Sequence, residues 1–271
     1  MKKKVVLAIA GSDSGAGAGI QADIKTMAAC GVYGTTAVTA LTAQNTMGVQ
    51  SVYEVPPEFL AQQLDSVLVD LPPDAVKIGM VSSAQLIEVI AGKLAQYQVK
   101  NIVLDPILVS TSGTSLLRED AENALMERLF PAADVITPNV PECQRLTGRV
   151  IQTQSDMQRA AEELSKRYGC AVICKGGHLG QSADDLLAVE GKVYWIRGER
   201  IVCENNHGTG CTYSSAIASG LALGMTLPEC AGYAKEYMNG ALRAGLALGH
   251  GNGPLEHFWR TNMNQEDIKD E

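Results

Sequence analysis

"VVLAIAGSDSGAGAGIQAD", Val5–Asp23, is the stretch from which the rest of the chain can be read. Its first six residues form an apolar run without polar alternation, the pattern of a strand covered on both faces. The glycine-rich segment 11–19 then turns the chain. Ile20, Ile24 and Met27 follow at helical spacing. Strand, tight turn and helix in that order form the opening unit of an α/β sheet. The basic start "MKKK" invites a leader reading, but Gly-Ser-Asp interrupts the apolar run after "VVLAIA", so the run reads as a first buried strand.

The glycines do not have dinucleotide-binding spacing. A GxGxxG motif starting at Gly15 needs glycine where Ile20 stands, and one starting at Gly17 needs it where Ala22 stands. No GK[ST] follows, so a P-loop is excluded as well. Asp23 lies about 40° from Met27 on the helix that follows. A carboxylate there is at a boundary, solvated, or paired with something bound.

The same alternation continues outward. "AVTALTA" (37–43), "AVKIGM" (75–80), "NIVLDP" (101–106), "DVITPN" (134–139) and "AVICKGG" (171–177) read as further strands. Leu60, Leu64, Val67, Leu68 and Leu71 make a helical stripe between Pro56-Pro57 and Pro72-Pro73. Leu86, Ile87, Ile90 and Leu94 make another. "SDMQRAAEELSKRYG" has Ser155 as a cap candidate and Gly169 as its stop. Residues 185–204 carry strand-like runs about a Glu190-Gly191 turn, a β-hairpin excursion. Ala- and Gly-rich helices follow at 211–224 and 227–248. The expected fold is α/β, a mainly parallel sheet flanked by helices on both faces. No linker or repeat divides it, so 1–271 reads as one domain, with a C-terminal tail from about residue 258.

In a parallel sheet every strand ends on one edge, and open α/β folds bind ligands there. Gln44 and Asn45, Asp105, Asn139 and Glu142, and Lys175 with Gly176 and Gly177 all fall at such ends. "TPNVPE" also fits a plain helix start with Pro141 in the first turn. "NNHGTGCTYSSA" (205–216) adds a glycine turn entering a helix, with Cys211 where the two meet. That is either a tight turn with a small buried residue or an anion site with a reactive group beside it.

The 271 residues carry a formal net charge of −8. That argues against nucleic acid or an anionic membrane surface as the main partner. No apolar run approaches the roughly 18 residues of a membrane span. Seven cysteines, scattered and without CxxC spacing, outline neither a disulfide framework nor a zinc site and fit a cytoplasmic protein.

Taken together, "AGSDSGAGAGIQADIKT", "TALTAQNT", "AVKIGM", "VLDP", "ITPNVPE", "KGGH", "HGTGCT" and "GNGP" resemble the hydroxymethylpyrimidine/phosphomethylpyrimidine kinases of thiamine biosynthesis. The match runs in order from about residue 5 to about 254. The resemblance implies a ribokinase-like fold, usually dimeric. It also implies ATP and Mg2+ as cofactors and two successive phosphorylations, of 4-amino-5-hydroxymethyl-2-methylpyrimidine and then of its monophosphate. By motif, Gln44 reads the pyrimidine edge, a carboxamide offering both donor and acceptor. Gly11, Asp23 and Met80 complete that pocket. Asp105 and Glu142 organise magnesium and its waters, and Asn139, Lys175 and Gly176 belong to the ATP site. Gly208, Thr209 and Gly210 form the anion hole, and Cys211 is the candidate general base, its thiol pKa lowered by the helix N-terminus. The competing reading leaves Cys211 shaping the pocket while the γ-phosphate takes the proton. His207 is a weaker candidate base, with no orienting carboxylate visible in the sequence.

Ala16 stands where the family commonly has glycine, and Thr111 where members usually have lysine. The second departure bears on the phosphorylation of the monophosphate. A pyridoxine/pyridoxal kinase on the same template is the nearest alternative, disfavoured by Gln44 in "TAQNT". The thiazole-alcohol kinase fits "GIQAD" and "QNT" poorly. A catalytically dead sensor would have lost Asp105, Glu142 or the Gly-Thr-Gly-Cys turn.

Overall fold

The computed structural model describes residues 3–108, 119–177, 179 and 182–261, so Thr111 lies outside the described residues. A nine-stranded sheet runs through the molecule in the order β3-β2-β1-β4-β5-β6-β7-β8-β9. Its parallel body consists of β1 (Val5–Asp13), β2 (Tyr33–Asn45), β4 (Ala75–Ile78), β5 (Ile102–Leu104), β6 (Val135–Ile136) and β7 (Ala171–Cys174). Each inner strand is a short apolar run buried on both faces, as its sequence requires. One edge is β3 (Gly48–Glu54), antiparallel to β2 across the Thr46-Met47 turn. The sequence pattern predicts no strand there. All seven β3 residues are exposed, so burial leaves no periodicity to read. At the other edge, β8 (Asp185–Val189) and β9 (Lys192–Ile196) form the expected hairpin about Glu190-Gly191. It extends the sheet antiparallel to β7.

Helices cover both faces. The helices α2 (Pro57–Asp70), α3 (Ala84–Gln96), α5 (Val140–Thr147) and α6 (Gln154–Tyr168) pack on one side. With them packs α4 (Glu119–Ala124), which continues into a π-helical turn, Leu125–Leu129. The cap of α6 is Thr153, not Ser155. Thr153 and Asp156 form a reciprocal capping box, and left-handed Gly169 ends the helix as expected.

The opposite face holds α1 (Gly19–Ala29), α7 (Thr209–Ala222) and α8 (Leu227–Ala244). The buried side of α1 is Ala22, Asp23, Thr26 and Met27, while Ile20 and Ile24 are half-buried. The Ile20–Ile24–Met27 stripe is thus rotated, and Asp23 faces inward. Helix α7 is buried along almost its whole length, and its small residues Ser215, Ala216, Ser219 and Gly220 permit that close approach. The start of the tail packs back onto α8, where the Trp259 indole donates to the Tyr237 carbonyl at 3.1 Å. No helix among the described residues is long and apolar enough to cross a membrane.

Candidate active site

The C-terminal ends of β1, β2, β4, β5, β6 and β7 share one edge, and the N-terminus of α7 points into it. Gly208 turns the chain there with φ 84°, a conformation suited to glycine, and a Cβ would strike the Gly17 carbonyl oxygen. The two glycine-rich segments are therefore packed backbone to backbone. Beyond Gly208, the Gly210 and Cys211 amides make no hydrogen bond within the described backbone, as expected at a helix start.

On one side of this turn lies a carboxylate–amine cluster. Lys175 Nζ donates to Asp105 Oδ1 at 2.8 Å, and Thr137 Oγ1 donates to the same oxygen at 3.1 Å. Asp105 Oδ2 faces the turn, and a Cβ on Gly210 would come 3.0 Å from it. Asn139 and Glu142 form a capping box on α5: the Glu142 N–H donates to Asn139 Oδ1 at 2.9 Å, and the Asn139 N–H to Glu142 Oε2 at 2.8 Å. Glu142 Oε1 also accepts the Leu108 N–H at 3.2 Å. Both readings of "TPNVPE" thus coincide, since the helix start holds the carboxylate at the cluster. Burial raises the pKa of Glu142, opposed by Lys175 and aided by Asp105. Burial would lower that of Lys175, but Asp105 and Glu142 hold it raised. The Gly176 N–H is committed to Asp185 Oδ1 at 2.9 Å, so that amide is not open to a nucleotide.

On the other side lie the residues expected to receive the small molecule. Gly11 and Met80 meet, the Met80 methyl lying 2.7 Å from where a Gly11 Cβ would stand. Gln44 is half-buried near the end of β2. Asp23 is not open to this side in the structure. It has no exposed surface, Lys77 Nζ donates to its two oxygens at 2.8 and 2.9 Å, and the Ser215 hydroxyl donates to Oδ1 at 2.8 Å. Its carboxylate ties α1, β4 and α7 together beneath the site.

Cys211 sits above that pair and is buried. The expected lowering of its thiol pKa is not found. Burial raises it, Lys77 opposes, and Asp23 and Asp105 add to the rise. The physical reason is burial first and the local charge balance second. Lys77 and Lys175 are already matched by Asp23 and Asp105, and a buried thiolate would be one anion too many.

Sequence reasoning does not single out Lys77, Thr137, Ser215 or Asp13, the last being the orienting partner of His207. Asp13 accepts the amides of Gly15, Gly17 and Ala18 and lies 3.0 Å from His207 Nε2. So His207 does have a carboxylate, 194 positions away. Asp13 was legible as an acceptor inside a glycine turn, and Lys77 as a charge inside an otherwise apolar strand.

Residues 13–256 match the family model described as phosphomethylpyrimidine kinase. The hydroxymethylpyrimidine/phosphomethylpyrimidine kinase of Rhizobium meliloti is 49% identical over 260 residues, 94% of this chain and 97% of that one. The thiamine biosynthesis bifunctional protein ThiED of Geobacter sulfurreducens is 47% identical over 98% of this chain, which spans 54% of that longer protein. Among solved structures, an ADP complex of Bacillus subtilis pyridoxal kinase superposes with a TM-score of 0.89. It is 34% identical, with 96% of this chain and 99% of that one covered.

Proposed function

The chain belongs to the phosphomethylpyrimidine kinase family, and on that premise we propose that it transfers the γ-phosphoryl group of ATP to 4-amino-5-hydroxymethyl-2-methylpyrimidine and then to the resulting monophosphate. One observation carries the reading. The start of α7, whose Gly210 and Cys211 amides have no backbone partner among the described residues, lies beside the Asp105–Lys175 pair on one side and beside Gly17 and His207, the neighbour of Gln44, on the other. A nucleotide and a small alcohol can therefore approach one turn from opposite sides.

Phosphoryl transfer asks the protein for alignment and charge stabilisation more than for covalent chemistry. The Gly208, Thr209 and Gly210 turn places amide donors before the phosphoryl group moves, so little reorganisation is needed. Lys175 offsets phosphate charge while Asp105 holds it in place. Asn139 borders the nucleotide side through its bridge to Lys175. Gln44 orients the pyrimidine ring, with Gly11 and Met80 as its walls. Cys211 enters the reaction as a neutral thiol that closes the pocket wall, and the alcohol proton leaves late to the transferring phosphoryl oxygens.

The residues present fit a magnesium ion carried in with the nucleotide. Asp105 Oδ2 is free of hydrogen bonds among the described residues, and each Glu142 oxygen keeps a lone pair for a bound water. Held by Asp105 and Glu142, the ion would offset the negative charge of the phosphates. Residues 1–271 are taken as one kinase domain, supported by the continuous sheet. A homodimer is proposed on the exposed apolar surface of the β2–β3 edge, Leu41, Val49, Val52 and Tyr53. The seven free thiols support a reducing compartment such as the cytoplasm. The partners are ATP and the pyrimidine alcohol, with no nucleic acid or membrane.

Product analysis with excess ATP tests the reading. Conversion of the pyrimidine alcohol to monophosphate and then diphosphate is expected. Arrest at the monophosphate removes the second step and points to Thr111. Faster turnover of pyridoxal than of the pyrimidine moves the assignment to the alternative substrate. Gln44→Ala weakens pyrimidine binding more than ATP binding, and equal effects undo the role of Gln44.

A further inference from the structure

His207 precedes the Gly208 turn, but its ring lies among the residues of the small-molecule side. Nε2 is 3.0 Å from Asp13 Oδ2 and 3.1 Å from Gln44 Nε2. The ring packs over Gly17, where any Cβ would collide with it. The His207 backbone is anchored too, its N–H donating to the Gly253 carbonyl at 3.1 Å. Asp13 is fixed in turn by three backbone amides.

The donors and acceptors of this network can be assigned. An ionised carboxylate only accepts, so His207 Nε2 carries a hydrogen. That hydrogen also faces the end of the Gln44 carboxamide, so the atom there must be an acceptor. At the other end, Thr42 Oγ1 lies 3.1 Å from Gln44 Oε1 and 3.0 Å from the Ser12 carbonyl oxygen. The single hydroxyl hydrogen of Thr42 is claimed by Ser12, whose carbonyl can only accept. Gln44 must therefore donate to Thr42. Both ends make the same demand, which is met when the carboxamide is turned end for end. The two orientations have the same shape, and hydrogen-bond chemistry decides between them.

We propose that His207, held by Asp13, is a positioning residue that fixes the Gln44 carboxamide with its oxygen toward His207 and its NH2 toward Thr42, and so sets the hydrogen-bond pattern accepted from the substrate. The proposal rests on Gln44 facing the substrate. Once His207 and Thr42 are served, Gln44 keeps one N–H and one oxygen lone pair. The ligand that fits has an acceptor on the Thr42 side and a donor on the His207 side, as a ring nitrogen beside an exocyclic amine provides. A ligand with the reverse order leaves desolvated groups unpaired. Because His207 directly precedes the anion turn, the same residue joins the substrate reader to the phosphate side.

Two measurements test this. In the ligand-free protein, 15N NMR of the histidine rings is expected to show His207 protonated at Nε2. A bare Nε2 overturns the assignment. In steady-state kinetics, His207→Ala is expected to raise KM for the pyrimidine alcohol at least tenfold and to move KM for ATP less than twofold. His207→Gln, whose terminal NH2 can donate to both Asp13 and Gln44, is expected to recover most of the loss. No recovery, or an equal rise in both KM values, defeats the positioning role. The NMR arm needs no substrate. A wild-type protein with Nε2 protonated that phosphorylates no pyrimidine alcohol therefore refutes the pyrimidine-kinase reading and leaves the carboxamide orientation standing.

Discussion

Lys77 Nζ and both carboxylate oxygens of Asp23 form a closed ion pair at 2.8 and 2.9 Å, and neither side chain has exposed surface. Burial opposes charge on each partner, but the Asp23 carboxylate holds the pKa of Lys77 well above the ordinary amine value. A buried pair contributes little net stability against an apolar replacement, yet removing one partner strands the other. Lys77→Met and Asp23→Val should each lower unfolding free energy by about 3–5 kcal/mol, and the two together should cost far less than the sum. Urea unfolding of the three variants measures this. Additive losses would mean that the two residues do not act as a pair.

The neutral thiol of Cys211 carries a second prediction. Serine is no base at pH 7 but is close in size. Cys211→Ser should keep turnover within about tenfold of the wild type, below the 10²–10⁴-fold range of a lost general base. A fall of a hundredfold or more, with substrate KM unchanged, would return the base role to Cys211.

Ala16 occupies a left-handed conformation at φ 59°. A Cβ there costs roughly 1–2 kcal/mol, part of which returns as a stiffer unfolded chain. Ala16→Gly should raise unfolding free energy by about 0.5–1 kcal/mol, read from the urea midpoint. An unchanged or lower midpoint would show that the turn bears no strain at Ala16.

Much of this was legible in the sequence, for a physical reason. Strands β4, β5 and β7 are short and buried on both faces, so they are written as apolar runs. Asp105 and Lys175 directly follow β5 and β7, and Gln44 is the last residue but one of β2, on the edge where the topology gathers strand ends. The illegible parts have causes as definite. Strand β3 buries nothing and is held by backbone pairing to β2. Asp23 was visible as a carboxylate near an apolar stripe, but its partner is 54 positions away in a strand. From sequence, the thiol of Cys211 is seen only through helix-terminus electrostatics. Burial and two nearby carboxylates, which only the folded chain brings together, reverse that reading.

The last prediction concerns acid. His257 is buried against α7, its Nε2 3.1 Å from Thr212 Oγ1, and its carbonyl accepts the Tyr237 hydroxyl at 2.7 Å. Burial, with the charge of Lys25, pushes its pKa down from 6.5 to about 4. The unfolded chain therefore takes up this proton near pH 6.5, while the folded chain refuses it until about pH 4. Stability from the neutral ring is complete above the unfolded value and is lost as pH falls through that window, amounting to about 3 kcal/mol. His257→Gln keeps a hydrogen-bonding group at Thr212 but cannot titrate. Urea midpoints at pH 7, 5 and 4 should fall more steeply in the wild type than in the variant, with the gap opening below pH 6.5. Parallel slopes would show that His257 takes its proton equally in both states. Since Thr212 lies one residue beyond Cys211 on α7, the same protonation should loosen the start of that helix, and returning the wild type to pH 7 should restore it.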